Sequence, residues 1–243
     1  MVETRIPRHA CSPRDTARAG DLWRLVQEVA VHDSESCGWP PSRYRTLGTG
    51  FVVREMVGIH HREARYGEAL PAETWIAETR REMLMRRETR ISDVLSCSVE
   101  WVHIGREGGP ERAPAELANA FPIRPSASTT LPPFTSIEPV ELPSFELTPW
   151  WTEMDPMGHT NHPRYVDWAD EAISRWLVAE GRDALALVPV AERVRFRGSA
   201  LAGEAIVVAT RRVGEMGEAA VFEMRMTGPR GLVCGVTLAR RLP

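Results

Sequence analysis

The chain contains an internal repeat that is recognisable by spacing rather than by residue identity. Gly67-Glu68-Ala69 begins 30 residues before Cys97, and Gly203-Glu204-Ala205 begins 31 residues before Cys234. The apolar residues around the two cysteines also correspond to one another. Because these matches occur in the same order in both halves, the repeat predicts two copies of one supersecondary unit.

Each copy is predicted to contain a leading strand, one long helix and three or four antiparallel strands. In the second half the β-rich runs are Ile206–Arg212, Ala219–Met226 and Leu232–Arg240, and glycine-containing turns at Gly214–Gly217 and Gly228–Gly231 separate them. The apolar residues expected on one face of the helix are Tyr165, Trp168, Ala169, Ala172, Ile173, Trp176 and Leu177. A chain of 243 residues can bury two such cores.

A proline-rich segment separates the two copies. Residues 122–140 combine prolines with serine and threonine, so we expect an extended linker without regular structure, long enough to cross one domain. The predicted domains are therefore 1–121 and 141–243.

Chemically reactive residues are concentrated just before the second helix. Asp155, Gly158, His159 and Asn161 place a carboxylate, a glycine, an imidazole and an amide within seven residues. Pro163 suits the first helical turn, and Asn161 or the following histidine can cap the helix. Unpaired N–H groups at a helix N-terminus can stabilise an oxyanion, so this arrangement suits attack on an acyl group.

The segment Asp155–Tyr165 resembles the D-x-x-G-H-x-N-x-x-x-Y signature of hot-dog-fold thioesterases of the 4-hydroxybenzoyl-CoA type. The whole chain resembles the acyl-ACP thioesterases, which carry two hot-dog domains in tandem. The first-half stretches that carry this likeness are Leu25–Ala30, Glu73–Ile76, Met85–Asp93, Val99–Val102 and Arg112–Leu117. The resemblance implies an α+β fold in which two domains, each a long helix wrapped by a curved antiparallel sheet, pack as a pseudo-dimer.

The resemblance also implies hydrolysis of a fatty acyl thioester on acyl carrier protein (ACP) or coenzyme A. Asp155 is the expected nucleophile or general base. His159 and Asn161 are expected to orient it, and Gly158 supplies a positive φ or a close approach. Chemistry is assigned to the second domain, with an acyl pocket roofed by the first. The expected substrate-binding residues are Tyr165, Trp168, Leu25, Val26, Val29 and Ala30. Core packing explains the apolar helix face that includes the last four residues equally well.

Two departures from the plant acyl-ACP thioesterases limit what can be transferred. Those enzymes have an asparagine two residues after the motif aspartate, where this chain has Met157. They also carry a Glu-Cys pair in the region that corresponds to 194–203, which here contains neither residue. Asp155 therefore remains as the one reactive acid of the motif.

Composition excludes several other classes of function. All 30 basic residues are arginine, so Schiff-base chemistry and a phosphate-loop lysine are excluded. The net charge of −3 argues against a general nucleic-acid binder, and no apolar run is long enough for a membrane span. The four scattered cysteines suggest neither a zinc site nor a redox pair. We therefore expect no cofactor and no metal. The N-terminus lacks the form of a signal peptide and suggests a cytoplasmic protein, and the resemblance implies a role in fatty acid metabolism.

Three functions from different classes remain open at this stage. They are a thioester hydrolase, a hot-dog dehydratase or hydratase of β-hydroxyacyl thioesters, and a non-catalytic acyl-thioester binder. The expected state is a monomeric pseudo-dimer or a homodimer. Docking of an acidic carrier protein would need a basic surface, for which we expect the arginines of 80–90, 211–212 and 240–241.

Overall fold

Each half of the chain consists of a leading strand, a long helix and further antiparallel strands, as the repeat predicts. The structure is a computed structural model that describes residues 2–243. Its helices are α1 (Ala19–Ser36), α2 (Pro41–Leu47), α3 (Ala115–Ala118) and α4 (Arg164–Ala179). Its strands are β1 (Val2–Arg5), β2 (Gly50–His60), β3 (Ala69–Arg80), β4 (Leu84–Ile91), β5 (Leu95–Ile104), β6 (Thr135–Leu147), β7 (Val188–Phe196), β8 (Ile206–Met216), β9 (Ala219–Gly228) and β10 (Gly231–Arg241).

The strands form one continuous sheet in the order β1-β3-β4-β5-β2-β7-β10-β9-β8-β6. The first half supplies one side of this sheet and the second half supplies the other. They meet where β2 pairs antiparallel with β7. That pairing is symmetric about Val57 and Arg193, since Glu55 pairs with Arg195 and Ile59 pairs with Ala191. The two units are therefore related as the subunits of a dimer would be.

The long helices pack their apolar faces on the sheet. On α4 the predicted face is buried, except that Trp176 is partly exposed. On α1 the buried stripe includes Leu22, Trp23, Val26 and Val29. Burying such a stripe provides most of the stability of an amphipathic helix. No helix within residues 2–243 has the length and apolar character that a transbilayer span requires.

A buried cluster of charges lies beside the junction of the two halves. Glu192 on β7 is fully buried and accepts hydrogen bonds from Trp23 Nε1 at 2.8 Å, from His60 Nε2 at 2.7 Å and from Arg240 Nη1 at 2.7 Å. Arg240 also donates to Asp170 on α4 at 2.7 Å. Burial alone would raise the pKa of Glu192, but His60 and Arg240 outweigh it and lower that pKa to about 2. The cluster connects α1, β2, β7, β10 and α4.

The proline-rich segment crosses the outer face of the first half. Ser126 accepts a hydrogen bond from Trp75 Nε1 at 3.0 Å, and Thr129 donates to Glu88 at 3.1 Å. The expectation of no regular structure is wrong for residues 135–140, because β6 begins at Thr135 and pairs with β8. Its prolines are tolerated because β6 is an edge strand with two register shifts. The domain boundaries themselves remain a prediction.

We predict that Glu192→Gln lowers the free energy of unfolding at pH 7 by about 3–5 kcal/mol, because it leaves buried charged donors poorly matched. Because the pKa of Glu192 is lowered in the folded protein, its ionised form stabilises the fold at pH values above the pKa of the unfolded chain. That stabilisation is lost as the pH falls toward the folded-state pKa of about 2. The variant should therefore lose part of the wild-type decline in stability below about pH 4.5. Denaturant unfolding across a pH series measures both effects. Glu223→Gln, in the exposed pair with Arg211, is the control and should cost less than about 1 kcal/mol.

Candidate active site

The turn that carries Asp155 is fixed by its own backbone. The Asp155 N–H donates to the His159 carbonyl at 2.8 Å, and the Gly158 N–H donates to the Asp155 carbonyl at 2.9 Å. The Asp155 Oδ1 atom accepts the Met157 N–H at 2.8 Å. Gly158 has φ +82°, which a residue with a Cβ adopts only at a cost. The positive φ expected at Gly158 is therefore present.

Contacts with other residues of the second half anchor this turn beside the sheet. The Thr160 N–H donates to the Ala200 carbonyl at 2.9 Å, and the Ala200 N–H donates to the Tyr165 hydroxyl at 2.9 Å. Tyr165 is buried and also contacts the ring of Phe196, with 5.1 Å between ring centroids. Trp168 is buried as well, and its Nε1 donates to Glu153 at 3.2 Å. Tyr165 thus holds the turn against β7, and Trp168 ties the segment before the turn to α4.

No side chain within residues 2–243 caps the N-terminus of α4. Pro163 occupies the N-cap position, and no side chain there accepts a hydrogen bond from the helix. The Asn161 carbonyl accepts the Arg164 N–H at 2.9 Å instead, so the backbone of the preceding turn takes this role. The expectation that Asn161 or His162 caps the helix is wrong, because those residues belong to the tight turn that enters it.

Asp155 and His159 lie side by side. Asp155 Oδ2 and His159 Nδ1 are 3.1 Å apart, without the alignment of a hydrogen bond, and the side chains are 12% and 24% exposed. The Asp155 carboxylate raises the pKa of His159, against the opposing effect of burial. Burial instead lowers the pKa of the neighbouring His162 to about 4, although an edge of this residue remains accessible to solvent. One imidazole is thus biased toward its charged form and the other toward its neutral form.

A cavity of about 900 Å³ opens beside this turn and is built from both halves. The second half contributes Asp155, His159, Thr160, His162, Tyr165 and Phe196, among others. The first half contributes the aromatic side chains Trp39, Tyr44, Phe51, Trp101 and Phe121. The rings of Trp101 and His162 meet edge to face across the junction, 5.7 Å apart. The cavity is therefore predominantly apolar, with the carboxylate of Asp155 in its wall.

The structure places the predicted site residues in three groups. Asp155, His159, Tyr165 and Ala30 line the cavity. Gly158 and Asn161 lie in the same turn but not in the cavity wall, and the buried Asn161 Oδ1 has no partner within residues 2–243. The remaining four, Trp168, Leu25, Val26 and Val29, pack in or against the core instead.

The expectation that Trp168, Leu25, Val26 and Val29 line the acyl pocket is therefore wrong, because these side chains pack in or against the core. The surface that α1 presents to the cavity consists of Gln27, Ala30, Val31 and Ser34. Helical periodicity identifies the stripe that faces the sheet, whereas the cavity lies beside that stripe. No sequence pattern points to Trp101 or Phe196 as a site residue, whereas His162, predicted only as a helix cap, lies within the motif.

The first half contains the same turn without an acid at the position of Asp155. The Ser12 N–H donates to the Thr16 carbonyl at 2.8 Å and the Asp15 N–H donates to the Ser12 carbonyl at 3.0 Å, as in the second half. Asp15 takes the positive φ of Gly158, at +58°. Ser12 thus stands where Asp155 stands in the second half, and the adjacent Arg14 forms an ion pair with Glu63. The backbone of the turn is therefore repeated, but only the second half has an acid at this position.

The arginines expected to form a basic surface are largely unavailable. Arg87 and Arg240 are buried, while Arg80, Arg86 and Arg211 form ion pairs with glutamates. The exposed arginines that border the cavity are Arg45, Arg54 and Arg197. Of these, Arg45 and Arg197 make no side-chain ion pair within residues 2–243.

The second half of the chain is similar to a known protein family. Residues 149–240 match the model of the Thioesterase-like superfamily. The match contains the entire Asp155 turn, α4 and β7–β9, and it confirms the resemblance seen in the second half. No curated protein matches the chain.

Solved structures show the fold over the whole chain. A protein described as an oleoyl thioesterase from Lactobacillus plantarum has a TM-score of 0.82 and 17% identity, covering 99% of this chain and 95% of that one. An acyl-ACP thioesterase from Bacteroides thetaiotaomicron has a TM-score of 0.74 and 13% identity, covering 98% and 96%. The 12:0-ACP thioesterase from Umbellularia californica has a TM-score of 0.76 and 17% identity, covering 100% and 93%. The predicted α+β tandem hot-dog fold is confirmed.

A MaoC-like dehydratase shares the architecture at a TM-score of 0.58 and 12% identity, covering 88% of this chain and 83% of that one. The fold alone therefore does not separate thioester hydrolysis from dehydration.

We predict that Asp155→Asn lowers the ring pKa of His159 toward its usual value near 6.5, because the adjacent negative charge is lost. Titration of the histidine ring signals by NMR measures this. Asp183→Asn is the control, since Asp183 accepts a turn N–H in the same way, at 2.8 Å, but lies far along the chain from His159. An unchanged His159 titration in Asp155→Asn would contradict the assigned contact.

We predict that Gly158→Ala costs about 1–2 kcal/mol of stability, because alanine resists a positive φ. Gly181→Ala should cost about as much, since its φ is +70° and a Cβ meets no neighbour within 4 Å at either glycine. Only Gly158→Ala should also shift the His159 titration, because only that glycine shapes the turn. Equal titrations in the two variants would show that Gly158 does not set the geometry of Asp155.

Proposed function

We propose that this protein is a thioesterase that hydrolyses a fatty acyl thioester, carried on ACP or on coenzyme A, to the free acid and the thiol. The observation that carries this proposal is the position of Asp155. Its carboxylate is held by an ordered turn in the wall of a largely apolar cavity of about 900 Å³. A cavity of this kind suits an acyl chain, and a carboxylate at its wall suits reaction at the acyl carbonyl.

Asp155 can act in either of two ways. As a nucleophile, a carboxylate oxygen attacks the thioester carbonyl, the C–S bond breaks, and the thiolate leaves and takes up a proton. Water then hydrolyses the resulting mixed anhydride and restores the carboxylate. As a general base, Asp155 removes a proton from water, and the hydroxide attacks the carbonyl directly. Both routes give the same products and differ in whether a covalent anhydride between the acyl group and Asp155 forms.

The oxyanion formed in either route needs a hydrogen-bond donor. The Gly158 N–H is committed to the Asp155 carbonyl, but the His159 N–H has no acceptor within residues 2–243. His159 also lines the cavity. Its backbone N–H is therefore the candidate donor to the oxyanion, and its protonated ring can balance charge beside Asp155.

The carrier would approach from the rim of the cavity. Arg45 and Arg197 are exposed there and lack anionic partners within residues 2–243, so they could meet the phosphate of a phosphopantetheine arm. Both ACP and coenzyme A carry such a phosphate. The names of the solved structures favour fatty acyl groups but do not decide between the two carriers for this chain.

We predict that Asp155→Asn lowers kcat at least about 100-fold in a thiol-release assay with a panel of acyl-ACP and acyl-CoA substrates, because either role requires the negative charge. Asp183→Asn should leave kcat unchanged. If Asp155→Asn retains more than about a tenth of wild-type turnover, Asp155 is neither nucleophile nor base. If no substrate releases thiol with the wild-type protein, the non-catalytic binder is the correct alternative.

We predict further that single-turnover hydrolysis in ¹⁸O-labelled water distinguishes the two roles. A nucleophilic Asp155 should carry the label in its own carboxyl group after one turnover when water attacks the anhydride at the Asp155 carbon. A general base should send the label only into the released acid. Mass spectrometry of the Asp155 peptide and of the product measures both. Label in Asp155 after one turnover would exclude the general-base route, because solvent oxygen enters that carboxyl group only through an anhydride that water attacks at the Asp155 carbon.

One observation favours a second candidate, dehydration of a β-hydroxyacyl thioester. An acid and an imidazole stand side by side in the cavity wall, 3.1 Å apart, which also suits proton removal at one carbon and proton donation to a leaving hydroxyl. The formation or loss of enoyl absorbance with β-hydroxyacyl and enoyl substrates tests it. Such turnover without thiol release would replace the thioesterase proposal.

A further inference from the structure

One wall of the cavity contains a buried arginine. Arg87 lies on β4, is 6% exposed and lines the cavity. Its neighbours in the sheet, Ile76 on β3 and Val99 on β5, are buried and apolar. The guanidinium also lies over the ring of Phe121, 5.6 Å from its centroid. A permanent positive charge thus stands beside aliphatic and aromatic side chains of the pocket.

Only part of this guanidinium is satisfied by the protein. Nη1 donates to Asp33 at 2.5 Å and is 3.4 Å from the Thr74 hydroxyl. Nε and Nη2 make no hydrogen bond within residues 2–243, and neither atom is completely enclosed by protein. These two nitrogens form the side-on edge with which arginine grips an oxygen acceptor. That edge is therefore available to a ligand in the cavity.

The position of Arg87 separates it from the reacting carbonyl. Asp155 lies beside the end of β7, because its turn is bonded to Ala200. Strands β2 and β5 lie between β7 and β4, so three interstrand steps separate the two sites. At about 4.8 Å for each step, the separation is about 14 Å. Arg87 would thus meet the distal part of an acyl chain whose thioester lies at Asp155.

We propose that the acyl group of the substrate carries a neutral oxygen, a hydroxyl or a carbonyl, near its distal end, and that this oxygen accepts hydrogen bonds from Arg87 Nε and Nη2. The inference rests on the proposed thioesterase function. A methyl-ended chain that reached Arg87 would displace water from two charged donors without replacing it. Asp33 already balances the charge of Arg87, so a carboxylate is not required and would lie near a second anion.

Other polar groups of the same pocket support this assignment. Ser34 and Tyr44 also line the cavity, and their hydroxyl oxygens lie 3.0 Å apart. The Ser34 hydroxyl donates to the Trp39 carbonyl at 2.9 Å, so the Tyr44 hydroxyl donates to Ser34 or to a ligand. Within this pocket, hydrogen-bonding capacity therefore extends beyond Arg87 itself.

Three acyl-CoA series of matched chain lengths test the proposal. Their acyl chains end in a methyl, an ω-hydroxyl or an ω-carboxylate group. At the length that reaches Arg87, the ω-hydroxyacyl substrate should exceed the methyl-ended one about tenfold or more in kcat/KM. Equal values at every length, or a preference for the carboxylate series, would overturn the proposal while leaving the thioesterase function intact.

Variants assign the preference to Arg87. Arg87→Met combined with Asp33→Asn removes both charges together and should abolish the preference for the hydroxyl group. Arg87→Lys keeps the charge and lacks the side-on edge, so it should also lose the preference. This variant tests the role of Arg87 if the double variant fails to fold. Arg90→Met is the matched control, because Arg90 is exposed on the same strand and does not line the cavity. A preference that survives Arg87→Lys in a folded protein would contradict the role of Arg87.

A binding measurement separates this inference from the proposed function. Calorimetric titration with free ω-hydroxy acids and fatty acids of equal length requires no turnover. Tighter binding of the hydroxy acids, by about tenfold and dependent on Arg87, would support the pocket assignment even if no thioester is hydrolysed. Equal binding of the two acids would overturn it even if hydrolysis is rapid.

Discussion

The antiparallel pairing of β2 with β7 is the contact on which the rest of the molecule depends. It merges two five-stranded halves into one sheet and sets the helix of one half beside the turn of the other. The cavity exists only because of that placement, since α1, β2 and β5 form one side and the Asp155 turn forms the other. Glu192 and its donors lie against the same junction, where three hydrogen bonds offset the cost of burying a carboxylate.

The two halves use a common backbone for different purposes. Both enter their long helix through the same hydrogen-bonded turn, but Ser12 replaces Asp155 in the first. The region next to that first turn encloses only about 200 Å³, lined in part by His60, Glu63 and Arg241. Glu63, which pairs with Arg14, and His60 of the buried cluster line this small region, whereas a much larger cavity lies beside Asp155. The asymmetry of the molecule therefore resides in side chains rather than in topology.

Sequence patterns predicted those features that depend on local periodicity and composition. The apolar face of α4, the repeated unit and the turn containing Asp155 all lie where the spacing placed them. The strand beginning at Thr135 was missed because its pairing partner, β8, lies about seventy residues downstream. The lining of the cavity by α1 was missed because periodicity reports the face toward the sheet. Arg87 was missed because a charged residue on a strand gives no sign of facing inward.

The serine at position 12 has a consequence for how this protein can change over evolutionary time. In a symmetric homodimer, one gene encodes both the wall of a pocket and the reactive turn of its sister, so each substitution alters two sites at once. Here the wall formed by α1 and β5 is encoded separately from the turn that carries Asp155. Selection can therefore reshape the pocket one residue at a time while the reactive turn stays untouched.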